Sequence, residues 1–326
     1  MDNIFVSVVM PLYNKIDYVE QAINSVLNQT YQNFELLVID DESTDGSYEL
    51  VKDYFAGRLN LIRKKNGGPG SARNLGIRSA SPQCRLVAFI DADDIWASFH
   101  LEMLVKAYLE CPGAGIISGQ GEKIETKNCM AFKPKRSEGW RKVDYIVGLA
   151  RGKVVVHTSS LMVPKNILDS VGGFENFRPG QDIDLWVRIA LRYPIIKLNS
   201  ITSCHRLGTG GIMDQSDMYL LRDTSYKPKA LAEVSPLLGR LEILMRACDE
   251  RSPERNKLAF LINSRVMSHI KILVANDARA KAKALSSLFV KPKAAKFLVV
   301  YFLFFLPDKF ISLALTAFIY LKRKFG

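Results

Sequence analysis

Histidine and tryptophan are scarce, four and three in a chain of 326 residues, and the five cysteines (Cys84, Cys111, Cys129, Cys204 and Cys248) form no CxxC pair. An odd, scattered set without ligand spacing excludes a disulfide framework and a cysteine-built zinc site, so the thiols read as buried and reduced. No internal repeat or low-complexity tract occurs, and 48% hydrophobic against 24% charged residues excludes collagen, coiled coil and intrinsic disorder. No basic run followed by a long apolar stretch opens the sequence, which predicts a chain that stays in the cytosol. Neither GxGxxG nor GxxxxGKS/T is found, so dinucleotide and P-loop chemistry have no support.

What is present is charge of one sign at one end. Residues 1–220 carry 25 basic and 25 acidic side chains and residues 221–326 carry 20 and 8, so the whole net charge of +12 lies in the last third. This asymmetry predicts a catalytic or binding domain over 1–220, a basic helical extension over 221–290 and a segment over 291–326 that seeks an anionic surface.

Over the first hundred residues short apolar runs alternate with amphipathic segments, the pattern of an α/β wound sheet covered by helices. Strands are expected over 5–10, 34–39, 59–62 and 86–90, and helices over 17–29, 46–56 and 69–79. Further on, a strand over 154–163 and helices over 164–171 and 181–193 are expected, followed by basic helices broken at Pro228, Pro236 and Pro253. In open α/β sheets the carboxyl ends of the strands line the ligand crevice. Each such end here carries a polar cluster: Pro11-Leu-Tyr-Asn14, Asp40-Asp-Glu-Ser-Thr-Asp-Gly46, Asn66-Gly-Gly-Pro-Gly-Ser-Ala-Arg-Asn74 and Asp91-Ala-Asp-Asp94.

Asp91, Asp93 and Asp94 follow one apolar strand and would repel one another without a cation; Mg2+ and Mn2+ take such carboxylates together with phosphate oxygens. A solvated turn capping a helix that begins near Ala97 is the other reading. Asp40 can accept hydrogen bonds from a ribose or a base imide, or serve as a turn and cap residue. Arg73 sits in the first turns of a helix behind a glycine loop, suited to a pyrophosphate or a base, although such a loop can equally be a tight turn alone. Asp182 opens an amphipathic helix with Leu185, Trp186 and Ile189 inward, as an exposed base or as a first-turn acid held by the helix dipole. His157 and His205 can contact substrate phosphates or be structural.

The segment 297–321 holds two apolar runs, 297–306 and 311–321, split by Pro307-Asp308-Lys309. One spanning helix would place two charges near mid-bilayer at about 2.5–3.5 kcal/mol each. Each run alone is about 15 Å as a helix, too short for a core of about 30 Å. Lysines and an arginine flank both ends (Lys291, Lys293, Lys296; Lys322, Arg323, Lys324), which favours a shallow hairpin or in-plane anchor on acidic lipid over a buried helix pair. Nucleic acid is disfavoured, because the apolar runs would then have no role.

The ordered set of strand-end motifs resembles the family 2 glycosyltransferases over roughly residues 4–210. Its carriers are Val6-Ser-Val-Val-Met-Pro-Leu-Tyr-Asn14, Val38-Ile-Asp-Asp-Glu-Ser-Thr-Asp-Gly46, Gly68-Pro-Gly-Ser-Ala-Arg-Asn74, Phe89-Ile-Asp-Ala-Asp-Asp94 and Gly180-Gln-Asp182. The resemblance implies a GT-A-like wound mixed sheet flanked by helices, with Pro11, Tyr13, Asn14, Asp40 and Arg73 around the nucleotide. It implies Asp93 as a ligand of Mn2+ or Mg2+, Asp91 nearer the ribose or sugar, and Asp182 as catalytic base. Gln181 stands where that family usually has Glu, and the QxxRW signature of processive synthases is absent. The implied activity is inverting transfer of a single sugar from a nucleotide-diphosphate donor, a UDP-sugar first, to a lipid-linked or surface glycan at the cytosolic face of a membrane. A sugar-nucleotide nucleotidyltransferase and a non-catalytic nucleotide-sugar-binding subunit are the alternatives.

Overall fold

The computed structural model describes residues 4–125, 132–209, 228–276 and 279–290. The chain divides into two compact units, one formed by residues 1–148, 154–177 and 181–210, the other by residues 149–153, 178–180 and the described part of 211–326. The first unit is built on a nine-stranded sheet.

Its leading half is a parallel wound sheet in the order β3-β2-β1-β4, with β1 Val6–Leu12, β2 Phe34–Asp40, β3 Asn60–Arg63 and β4 Leu86–Phe89. Helices α1 Val19–Leu27, α2 Ser47–Tyr54 and α3 Pro69–Ser79 join these strands. β1 and β4 are apolar almost throughout because both faces are covered, and the one polar residue inside β1, Ser7, is satisfied by Glu35 Oε1 at 2.6 Å. Gly76 lets α3 sit directly on β1: a Cβ there would lie 2.3 Å from Val9 Cγ1.

Beyond β4 the sheet turns mixed. β8 Leu161–Pro164 pairs antiparallel with β4 and with β6 Ile116–Glu125, and β9 Ile195–Leu207 runs parallel to β6 and antiparallel to β5 Ile95–Trp96 and β7 Trp140–Val143. Helices α4 His100–Glu110, α5 Tyr145–Ala150, α6 Lys165–Val171 and α7 Gln181–Ala190 complete the described helices before residue 210. One apolar core joins Val8, Met10, Ile23, Val26, Trp96, Leu101 and Leu104, each worth about 1.5–3 kcal/mol on burial for side chains of this size.

The expected strand over 154–163 is corrected: only Leu161–Pro164 is strand, and Thr158–Ser160 is a 3-10 turn. Of the cysteines, Cys84 and Cys204 are buried as expected, whereas Cys111 and Cys248 are half-buried. The basic extension forms α8 Leu231–Val234, α9 Pro236–Ala247, α10 Pro253–Ala275 and α11 Arg279–Ser286, with Pro236 and Pro253 opening helices, where their missing N–H costs nothing. The expected apolar anchor at 291–326 lies outside the described residues. Among those that are described, no helix is long and apolar enough to cross a membrane.

Candidate active site

The loops after β1 and β2 are tied together. Asn14 adopts a left-handed φ of 50°, a region that asparagine tolerates; its N–H donates to Ser43 Oγ at 3.1 Å and its Oδ1 accepts from the Thr44 N–H at 2.9 Å. Pro11 lies within β1 against Ile39 of β2, and Tyr13 beside it is 49% exposed, an aromatic face free to meet a flat ligand. Asp40 is buried at the end of β2, where it accepts from the Ser43 N–H at 3.3 Å and pairs with Arg63 Nε at 3.2 Å. Its neighbour Asp41, read from the sequence together with Asp40 as a candidate turn residue, holds the glycine loop: it accepts from the N–H groups of Gly67 (3.0 Å) and Gly68 (2.6 Å) and pairs with Lys64 Nζ at 2.6 Å.

Three acids after β4 have three separate cationic or ring partners. Asp91 is paired by Arg73 Nη2, and the Arg73 guanidinium stands 5.4 Å from the Phe174 ring centroid. Asp93 Oδ2 is 2.8 Å from Lys15 Nζ and accepts from Thr209 Oγ1 at 2.7 Å. Asp94 is buried, with Oδ2 on His205 Nδ1 at 2.9 Å and Oδ1 on the Arg206 N–H at 3.1 Å; burial pushes its carboxyl upward. Part of the compensation that these carboxylates require is therefore internal.

His205 Nε2 also meets Ser160 Oγ at 2.9 Å, and the His157 ring stacks on His205 with centroids 4.1 Å apart. Ser160, His205 and Asp94 align in the order of a hydrolase triad, but Ser160 is only 1% exposed and cannot reach a substrate; the alignment fixes the Asp94 turn to β9. Burial, with the nearby His205, Lys123 and Lys197, pushes His157 down to about 3, so at neutral pH it carries no charge for a phosphate.

α7 brings the last predicted group. Leu185, Trp186 and Ile189 are buried as its amphipathic pattern required, and Trp186 joins Phe89 and Phe174 in an aromatic cluster at centroid distances of 5.6–6.1 Å. Gln181 is buried; with its amide oriented to meet complementary groups, it accepts from the Gly70 N–H at 3.1 Å and donates to the Phe177 carbonyl at 3.2 Å. A Cβ at Gly70 would lie 2.2 Å from the Gln181 side-chain amide, so the approach needs glycine. A glutamate could not donate the second of these bonds, which gives Gln181 a physical reason. Asp182, next in the chain, is partly exposed and has no hydrogen-bond or ion-pair partner among the described residues.

Among the described residues no group of three His, Cys, Asp or Glu side chains could by itself hold a metal ion. Asp91 and Asp93 nevertheless fit one. Asp91 is 37% exposed with one oxygen paired, and Asp93 Oδ1 has no partner among the described residues. Hard oxygen donors of this kind suit Mg2+ or Mn2+, whose remaining ligands are phosphate oxygens and water.

A parallel wound half whose carboxyl-end loops gather these groups, continued by an inserted antiparallel strand and a long mixed edge, defines the class: a nucleotide-sugar transferase fold of GT-A type. Solved structures agree on the fold. Staphylococcus aureus TarS (residues 1–349) in complex with UDP-GlcNAc matches with a TM-score of 0.61 at 18% identity, over 87% of this chain and 84% of that one. The mannosyltransferase PcManGT from Pyrobaculum calidifontis, in complex with GDP-Man and Mn2+, matches with a TM-score of 0.58 at 20% identity, over 90% of this chain and 78% of that one.

Residues 7–160 match the family described as Glycosyl transferase family 2, which places this stretch of the chain in that family. A Rickettsia felis protein named an uncharacterized glycosyltransferase is 31% identical over 288 residues, 81% of this chain and 45% of that protein. The Escherichia coli UDP-Glc:alpha-D-GlcNAc-diphosphoundecaprenol beta-1,3-glucosyltransferase WfgD is 40% identical over 111 residues, 34% of this chain and 43% of that protein. The chain thus spans less than half the length of these curated relatives.

Proposed function

We propose that this protein transfers a single sugar from a nucleotide-diphosphate donor, a UDP-sugar first, to an acceptor hydroxyl with inversion at the anomeric carbon, assisted by Mn2+ or Mg2+. The observation that carries the reading is a continuous set of contacts. Asp91 is paired with Arg73 of α3; Gly70, at the start of that helix, donates to Gln181; and Gln181 is the residue before Asp182. Donor-side carboxylate, glycine loop and unpaired aspartate are thereby held in one framework.

In this reading Asp40, Asn14, Tyr13 and Pro11 line the base and ribose, while Arg73 orients Asp91. A bound divalent ion would offset the negative charge that develops on the departing diphosphate. Asp182 accepts the proton of the attacking hydroxyl, which is a poor nucleophile until it is relieved of that proton. Attack from the face opposite the leaving group inverts the anomeric centre. Asp182 suits this task because no protein cation or donor among the described residues occupies its carboxylate.

The acceptor we propose is a lipid-linked or surface glycan, met at the cytosolic face of a membrane. The apolar runs and flanking lysines of 291–326 support it, as does the diphosphoundecaprenol substrate named for the E. coli relative. An anchored enzyme gains effective concentration of such an acceptor. The test is a panel of sugar nucleotides offered with Mn2+ or Mg2+ to the full chain. Release of a nucleoside diphosphate from one donor is expected; pyrophosphate released instead from a nucleoside triphosphate and a sugar 1-phosphate, with no turnover of any sugar nucleotide, would assign a nucleotidyltransferase.

A further inference from the structure

Lys15 follows directly on the Pro11–Asn14 motif, and nothing in the sequence pattern gives it a task. Its Nζ lies 2.8 Å from Asp93 Oδ2 and donates to the Thr209 carbonyl at 2.9 Å, while Thr209 Oγ1 donates to the same Asp93 oxygen at 2.7 Å. Its backbone is fixed from both sides: the N–H donates to Ser47 Oγ at 2.9 Å, and the carbonyl accepts from the N–H groups of Tyr18 and Val19 at 3.0 and 2.9 Å. The side chains of Lys15 and Asp93 are 16% and 15% exposed, so the pair is largely shielded from water.

We infer that Lys15 is an internal counter-cation that occupies Asp93 in the donor-free protein, so that a divalent ion gains Asp93 only as the donor's diphosphate draws the ammonium away. The inference rests on the metal-assisted reading above and adds its control. Oδ2 already carries two donors, and an ion at Oδ1 would stand one carboxylate width from the ammonium. Like charges that close, poorly screened, repel strongly. One carboxylate cannot balance a divalent ion and an ammonium together. A diphosphate can, because it brings two or more negative charges and offers Lys15 a new partner. Metal and nucleotide then bind with positive coupling, and linkage makes the effect reciprocal.

The experiment is Mn2+ binding to the full chain, followed by the electron paramagnetic resonance of free Mn2+, with and without UDP, and in a parallel arm GDP. Wild type is compared with Lys15→Met and Thr209→Val. Without nucleotide, Lys15→Met should bind Mn2+ roughly 5- to 50-fold more tightly than wild type, within the usual range of coupling between sites. Thr209→Val, which removes a neutral donor and keeps the charge, should change the affinity far less. Nucleotide should tighten Mn2+ binding more in wild type than in Lys15→Met. Because removing Lys15 leaves Asp93 less compensated, thermal unfolding is read as well, and Mn2+ should raise the Tm of Lys15→Met more than that of wild type. Equal Mn2+ affinity of wild type and Lys15→Met without nucleotide, with both binding once nucleotide is present, overturns the role of Lys15. Failure of every protein to bind Mn2+ even with nucleotide overturns the metal reading itself, and the inference with it.

Discussion

Asn74 clamps Phe174 by its backbone: its Nδ2 donates to the Phe174 carbonyl at 2.7 Å and its Oδ1 accepts from the Phe174 N–H at 2.8 Å, across 100 residues of sequence. The same helix presents Arg73 to Asp91, so one side of α3 faces the carboxylate that follows β4 while the next residue secures the loop that leads toward α7. Arg188 reinforces that loop from α7, donating to the Gly173 carbonyl at 2.6 Å and pairing with Asp184 at 2.8 Å. Asn74→Ala removes both bonds and strands two backbone groups, which should cost about 2–3 kcal/mol in urea unfolding. Asn74→Asp, which can accept but not donate, should be no better; wild-type stability in either variant would show that the clamp is dispensable.

Acidification should weaken the fold through two buried rings. Burial pushes both His100 and His157 from 6.5 to about 3. Between those values the unfolded chain binds protons that the folded chain refuses, so their stabilising effect is complete above about pH 6.5 and falls as the pH drops. Asp94, raised by burial, acts in the opposite direction. His100 stacks on Trp96 and its Nδ1 meets Thr202 Oγ1 at 2.9 Å, so His100→Gln retains a polar partner without titrating. Unfolding free energies at pH 7 and 5.5 should differ by about 1 kcal/mol less in His100→Gln than in wild type. An identical pH dependence in the two proteins would remove His100 from the account.

Membrane attachment is expected to reside in the last segment. Deletion of residues 292–326 should move the protein from the membrane pellet to the supernatant at moderate salt, since both the apolar runs and five of the six flanking cations are lost. An unchanged distribution would place the attachment elsewhere.

Much of the wound half was legible because its signals are local. The apolar runs at 34–39 and 86–90 and the amphipathic spacing in 181–193 differ by only a few residues from Phe34–Asp40, Leu86–Phe89 and Gln181–Ala190. The mixed half was not. β6 and β9 carry Gly119, Gly121, Lys197, Asn199 and His205 among apolar residues, and β8 is a four-residue remnant of a longer apolar stretch, so their pairing depends on partners distant in sequence. Asp91, Asp93 and Arg73 could be named from position at strand ends. Their partners could not: Lys15 and Thr209 meet at Asp93 from positions 194 residues apart, and Asp41 differs from Asp40 only in which loop it faces.

The central claim is that Asp182 removes a proton from the acceptor while the β4 carboxylates hold the donor end, and steady-state kinetics of Asp182→Asn test it most directly. With the donor identified by the panel and a membrane acceptor present, kcat should fall by about 10²- to 10⁴-fold while the KM for the donor stays near that of wild type, as for the loss of a general base. Transfer at the wild-type rate by Asp182→Asn would contradict the claim.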